Sequence, residues 1–181
     1  MIVADTSEAD GNEFGGHHLT RGNTTVIRSP QPCQGAGRLS SWRHAHCLRG
    51  SGRHRRVIAD EVVGHAFSHG FHPQHVERLA AYWAEALGGP TMYSESYGDE
   101  TAVVRIHSGN GVHDEMDGRA VACFDQVLAD VALADDSALR QVLHDYFAWA
   151  TTTTMACYHR SADDVPDGLT IPRWSWDGLQ E

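Results

Sequence analysis

Thirteen histidines in 181 residues carry most of the chemical potential of this sequence, because neutral imidazole is a common metal ligand and titrates near neutrality. His107 stands apart by its context. It follows Val103-Val104-Arg105-Ile106 and precedes Ser108-Gly109-Asn110-Gly111, so the ring closes a short apolar turn and can face a hydrophobic cavity, with a flexible loop behind it. His75 falls just after Pro73, four residues before Leu79 and therefore on the same helical face. Two imidazoles near the ends of two apolar segments are the layout of a haem held between helices. A core histidine bonded to a carbonyl is the commoner case, and spacing alone leaves both readings open.

Other chemistries have less support. His65 and His69, with His72 and His75 close by, have a spacing that can bring two imidazoles together for zinc or copper. No HExxH and no neighbouring cysteine completes such a site, and solvated loop histidines explain the cluster equally well. Cys33, Cys47, Cys123 and Cys157 form no CxxC pair, which points to reduced thiols rather than a zinc ribbon or disulfide scaffold. GxSxG, GxxxxGK[ST] and GxGxxG are all absent, so no nucleophile elbow, P-loop or dinucleotide fingerprint is present.

The elements that must position these residues read as helices. Val57–Val63 can close one. Pro73 at a first helical position opens the next, whose apolar stripe of Val76, Leu79, Ala80, Trp83 and Leu87 stops at Gly88-Gly89-Pro90. A third stripe runs from Val112 through Met116, Ala120, Phe124, Val127, Leu128 and Val131. A fourth, capped by Asp136 or Ser137, carries Leu139, Val142, Leu143, Tyr146, Phe147 and Ala150. Met92–Gly111 holds a short apolar piece between glycine turns. Thr151–Thr154 and the tail from Pro166 to Glu181 are expected to fray or lie on the surface. Nothing alternates strongly enough for a sheet, so the expected fold class is all-α.

Composition divides the chain at Arg56. All 14 basic residues are arginine, and eight of them lie in residues 1–56, against only four of the 24 acidic residues. That segment, rich in Arg, Gly and His and without apolar period, is expected to be disordered. The remainder, 57–161, is expected to form the domain, with 162–181 as a tail. The net charge of −10 argues against nucleic acid as a partner. The start lacks a basic, apolar secretory signal and no stretch approaches a membrane span, so a soluble, cytoplasmic protein with no membrane partner is expected.

From about Val57 to about Ser161 the chain resembles the group II truncated haemoglobins, shortened globins with a two-over-two helical sandwich. The residues that carry the likeness are Phe71-His72-Pro73-Gln74-His75-Val76, Gly88-Gly89-Pro90 followed by Tyr93-Ser94-Glu95, and Val104-Arg105-Ile106-His107. Trp174-Ser175-Trp176-Asp177-Gly178-Leu179 is similar to the tails of some members. The resemblance implies haem iron as cofactor, with His107 its proximal ligand. It places Phe67 against the haem, His75 over the iron and Leu79 in the distal pocket. Arg105 becomes a propionate partner, and Tyr93, after the glycine turn, a weaker candidate. The implied partners are a diatomic gas such as O₂ and, for redox turnover, an electron donor.

Two departures from the family pattern stand out. Where many relatives carry a distal tryptophan this chain has Ala120, so polarity above the iron would rest on His75. Counting back without gaps, the family's distal tyrosine falls on His54, and residues 1–56 do not read as the family's first helices. An abrupt change into Arg/Gly/His/Ser-rich text is expected of an out-of-frame or misplaced start, which translation of the coding DNA in all frames tests. Without those helices weaker haem retention is expected. The competing reading is a cofactor-free helical interaction module, which would purify colourless.

Overall fold

The computed structural model describes residues 53–130, 136–154 and 159–180. The expected arginine-rich leader lies almost wholly outside them, as do Cys33, Cys47 and Cys157. Six helices make up most of the described chain: α1 Arg53–Ala59, α2 His75–Ala86, α3 Met92–Ser96, α4 Glu100–His107, α5 Asp114–Asp130 and α6 Ser137–Trp149. A 3₁₀ turn, Val63–Phe67, joins α1 to the segment before α2. The helix α1, Arg53–Ala59, runs across the change in composition at Arg56.

The core forms where α2, α5 and α6 meet. Residues Ala80 through Leu87 are all buried, so the second half of α2 is enclosed on every side, as expected for a central helix. Trp83 packs edge-on against Phe124 of α5 and Phe147 of α6, at 5.5 and 5.8 Å between ring centroids, and those two phenylalanines stack at 4.4 Å. α2 stops in a Schellman turn. Gly89 N–H reaches Ala84 O at 2.8 Å and Gly88 N–H reaches Glu85 O at 3.1 Å, with Gly88 at φ +85°, a conformation glycine adopts without strain. α5 buries Ala120, Phe124, Val127 and Leu128 of the stripe read from its sequence, together with Cys123, whereas Val112 lies before the helix and is exposed and Val131 lies outside the described residues. Asp136 caps α6, accepting from Leu139 N–H at 2.9 Å.

Asp60 ties α1 to α5. Its carboxylate accepts the Val62 and Val63 N–H groups, both at 3.0 Å, and the Arg119 guanidinium at 2.9–3.1 Å. The arginine holds its pKa below the ordinary value. Gly64 allows the 3₁₀ turn to close on α1: a Cβ there would lie 2.6 Å from the Ile58 carbonyl oxygen.

Three details differ from the sequence reading. α2 starts at His75 rather than at Pro73, because the His72 ring and carbonyl take up the Gln74 and His75 N–H groups at 3.0 and 2.8 Å and close a turn there. Ala150–Thr154 continues α6 as a π turn with Thr151 buried, rather than fraying. The tail is folded. A 3₁₀ turn, Ala162–Asp164, leads to an antiparallel hairpin, β1 Arg173–Ser175 and β2 Gly178–Gln180. This small hairpin is the one sheet among the described residues of an otherwise helical fold. Trp174 packs on Tyr146 and Trp149, and Arg173 donates to Glu85 O at 2.5 Å.

Candidate functional site

His107 is the last residue of α4, a helix capped by Asp99, whose side chain accepts from Ala102 N–H at 2.8 Å. Its Nδ1 lies 2.6 Å from the Val103 carbonyl oxygen one turn back. A carbonyl only accepts, so Nδ1 carries the proton and Nε2 presents a lone pair. That Nε2 is sealed from solvent and has no hydrogen-bond partner. The ring pKa falls to about 3, chiefly because burial disfavours the cation, with smaller contributions from His113 and His75. The imidazole is therefore neutral at physiological pH. An unsatisfied buried acceptor costs about 1–3 kcal/mol, and a metal ion removes that cost.

A second group of candidates comes from the 3₁₀ turn and the start of α2. Phe67, Phe71 and His75 form an aromatic triangle with ring centroids 5.8–6.2 Å apart. Phe67 is half-buried against the core, as is Leu79 one turn beyond His75. His75 lies within electrostatic reach of the His107 ring, so the structure brings the two histidines singled out in the sequence to one region. His113, from the first turn before α5, approaches the same ring and pairs with the buried Asp117 at 2.9 Å.

The other candidates are placed differently. Arg105 points outward and forms an ion pair with Asp167 of the tail at 2.7 Å. Tyr93 is buried between Tyr82 and Tyr97, with the Arg78 guanidinium 6.0 Å above its ring. Ala120 is buried in α5. His65 and His69 are exposed, and among the described residues no group of three or more His, Cys, Asp or Glu could hold a metal. A single buried imidazole suits a metal whose remaining ligands arrive with it, as in a porphyrin. The donor chemistry at His107 thus fits haem iron and does not fit an all-protein zinc or copper site.

Sequence reasoning missed Phe71 as part of the aromatic triangle and Glu100 as a buried acid. Phe71 was visible beside His72, although its exposure of 42% gave no amphipathic signal. Glu100 lies seven residues before His107, two helical turns along the same face. An acid in a first helical turn ordinarily reads as a solvated residue that complements the dipole.

The chain belongs to the bacterial-like globins, the truncated-globin family, whose family model matches residues 51–152. Globin membership implies a haem-binding, gas-binding protein. No curated protein and no solved structure matches the chain.

Proposed function

We propose that this globin is a group II truncated haemoglobin that holds haem through His107 Nε2 and binds O₂ or a related diatomic gas on the His75 side. The observation that carries the reading is the buried, partnerless Nε2 of a ring whose other nitrogen is fixed by the Val103 carbonyl. That carbonyl sets the ring's direction and tautomer and makes the free nitrogen a better donor. Phe67 and Leu79 offer an apolar surface to a porphyrin, and His75 supplies a polar group for a bound ligand. When bound, haem supplies the iron that takes up the gas. Arg105 can serve a propionate only by exchanging Asp167 for the haem carboxylate, and Tyr93 is held among Tyr82, Tyr97 and Arg78.

The experiment is reconstitution of the purified chain with haem. A Soret band is expected at one haem per chain, and His107→Ala should abolish it. His75→Leu should leave haem content intact and speed O₂ release by about tenfold, the loss of one hydrogen bond of roughly 1.4 kcal/mol. A chain that stays colourless with excess haem, or a His107→Ala variant with an unchanged spectrum, would overturn the assignment.

A further inference from the structure

Behind the two histidines lies a second constellation that gas binding does not use. Tyr82 on α2 donates its phenol O–H to Glu100 Oε2 on α4 at 2.7 Å. Tyr82 is 3% exposed and Glu100 2% exposed, and Glu100 Oε1 is buried without a partner. The pair has a defined relation to the histidines. Tyr82 follows His75 by seven residues on α2, and Glu100 precedes His107 by seven on α4. Each step is two turns along one helix face, about 10 Å. The tyrosine–carboxylate bond therefore bridges the same two helices that carry His75 and His107.

The pair is also connected to the surface. The Tyr82 ring meets Tyr93 edge-on at 5.2 Å, and Tyr93 meets the partly exposed Tyr97 at 6.0 Å. The Arg78 guanidinium sits 5.6 Å from the Tyr97 ring centroid and donates to the Tyr97 carbonyl at 3.2 Å, holding the outer end in place. Three phenols in contact thus run from the interior outward. A buried phenol cannot lose an electron cheaply while keeping its proton, because a phenol cation in a low-dielectric interior carries the full desolvation cost. Glu100 is the acceptor that lets the proton leave together with the electron.

We propose that Tyr82 and Glu100 form a proton-coupled redox site, and that Tyr93 and Tyr97 connect it to reductants at the surface. This rests on the haem reading, because the oxidant is the oxidised haem left by reaction with hydrogen peroxide. In the step, one electron passes from Tyr82 to that haem, the Tyr82 O–H bond breaks, and the proton forms a new O–H bond on the Glu100 carboxylate. The products are a neutral tyrosyl radical and a neutral carboxylic acid. A phenolic or ascorbate-type donor at Tyr97 returns the electron and Glu100 returns the proton. The Glu100 pKa is raised to about 7 by burial and by Asp99, against the lowering effect of the Tyr82 hydrogen bond. Glu100 also adds to the upward shifts of Tyr82, Tyr93 and Tyr146, while Arg78 opposes the shift of Tyr93. The carboxylate is therefore available above neutrality and withdrawn below it.

The test is rapid-freeze electron paramagnetic resonance of the full-length haem-loaded protein mixed with hydrogen peroxide, at matched haem content. A tyrosyl radical is expected, and Tyr82→Phe should remove most of its signal. Glu100→Gln, which keeps the shape but not the base, should slow radical formation by about 100-fold, the lower end of what a positioned base contributes. Tyr97→Phe should lengthen the radical's lifetime in the presence of ascorbate. An unchanged signal in Tyr82→Phe, or an unchanged rate in Glu100→Gln, would overturn the proposal. Flash oxidation of the haem-free chain by a photoexcited ruthenium complex separates the two readings. A radical that forms there and depends on Tyr82 and Glu100 supports the redox pair even if haem does not bind, and one that forms independently of both counts against it.

Discussion

The two segments that carry His107 and His75 are built differently. On the His107 side the ring sits on a regular helix with an aspartate cap, and the tail is strapped along that helix. Thr101 donates to Pro166 O at 3.2 Å and accepts from Leu169 N–H at 3.0 Å, Arg105 pairs with Asp167, and Gly109 N–H reaches His159 O at 2.7 Å. On the His75 side lie a 3₁₀ turn and a helix start, with Phe67 edge-on to Phe71 and His75, and Phe71, 42% exposed, tilted against His75. Hydrogen bonds of fixed direction thus connect the His107 helix to a distant segment, the tail, whereas the bonds by which His72 takes up the Gln74 and His75 N–H groups are local.

Breaking that contrast should show first at Glu100. Its carboxyl pKa is raised from 4.5 to about 7, so the folded state favours the protonated form. Its contribution to stability is complete below pH 4.5 and is lost as pH rises through 7. Glu100→Gln removes this dependence. Relative to the variant, the native chain should lose up to about 3 kcal/mol between pH 4.5 and pH 8, read by urea unfolding at the two pH values. Equal differences at both would contradict the shift.

Thr101→Val comes next. It keeps the side-chain shape while removing both hydrogen bonds to the tail, for an expected cost of about 2 kcal/mol. In the haem-loaded protein it should also displace the iron–histidine stretching band in the resonance Raman spectrum, a change that a loss of stability alone would not produce. The smallest effect is expected at Phe71. Phe71→Ala should change unfolding free energy by less than about 1 kcal/mol and yet speed gas escape in flash photolysis of the carbon monoxide complex. A stability loss like that of Thr101→Val would show that the two segments are equally committed.

Much of this fold was legible because its longer helices follow the 3.6-residue period. The Val76–Leu87 and Leu139–Ala150 stripes, the Gly88 stop and the Asp136 cap all depend on local chemistry that a sequence displays. His107 was legible for the same reason, as an imidazole ending an apolar turn. The tail was not. Trp174 and Arg173 are ordered by Tyr146, Trp149 and the Glu85 carbonyl, partners that lie 25 to 88 positions away and leave no local signature. Glu100 was hidden likewise, since its burial depends on Tyr82 of another helix. Arg105 was readable as a carboxylate partner, but the carboxylate it meets here belongs to Asp167.

The indole pair at the end of the chain has a practical consequence. Trp149 of α6 and Trp174 of the hairpin lie 5.3 Å apart, centroid to centroid, one on the helical body and one on the strap that borders α4. Lifting the strap separates them and exposes both to water, so intrinsic fluorescence should redden as the tail detaches. Entry of a strongly absorbing macrocycle would instead quench emission without shifting it. One cuvette can therefore distinguish loosening of the tail from uptake of the cofactor, with no label attached.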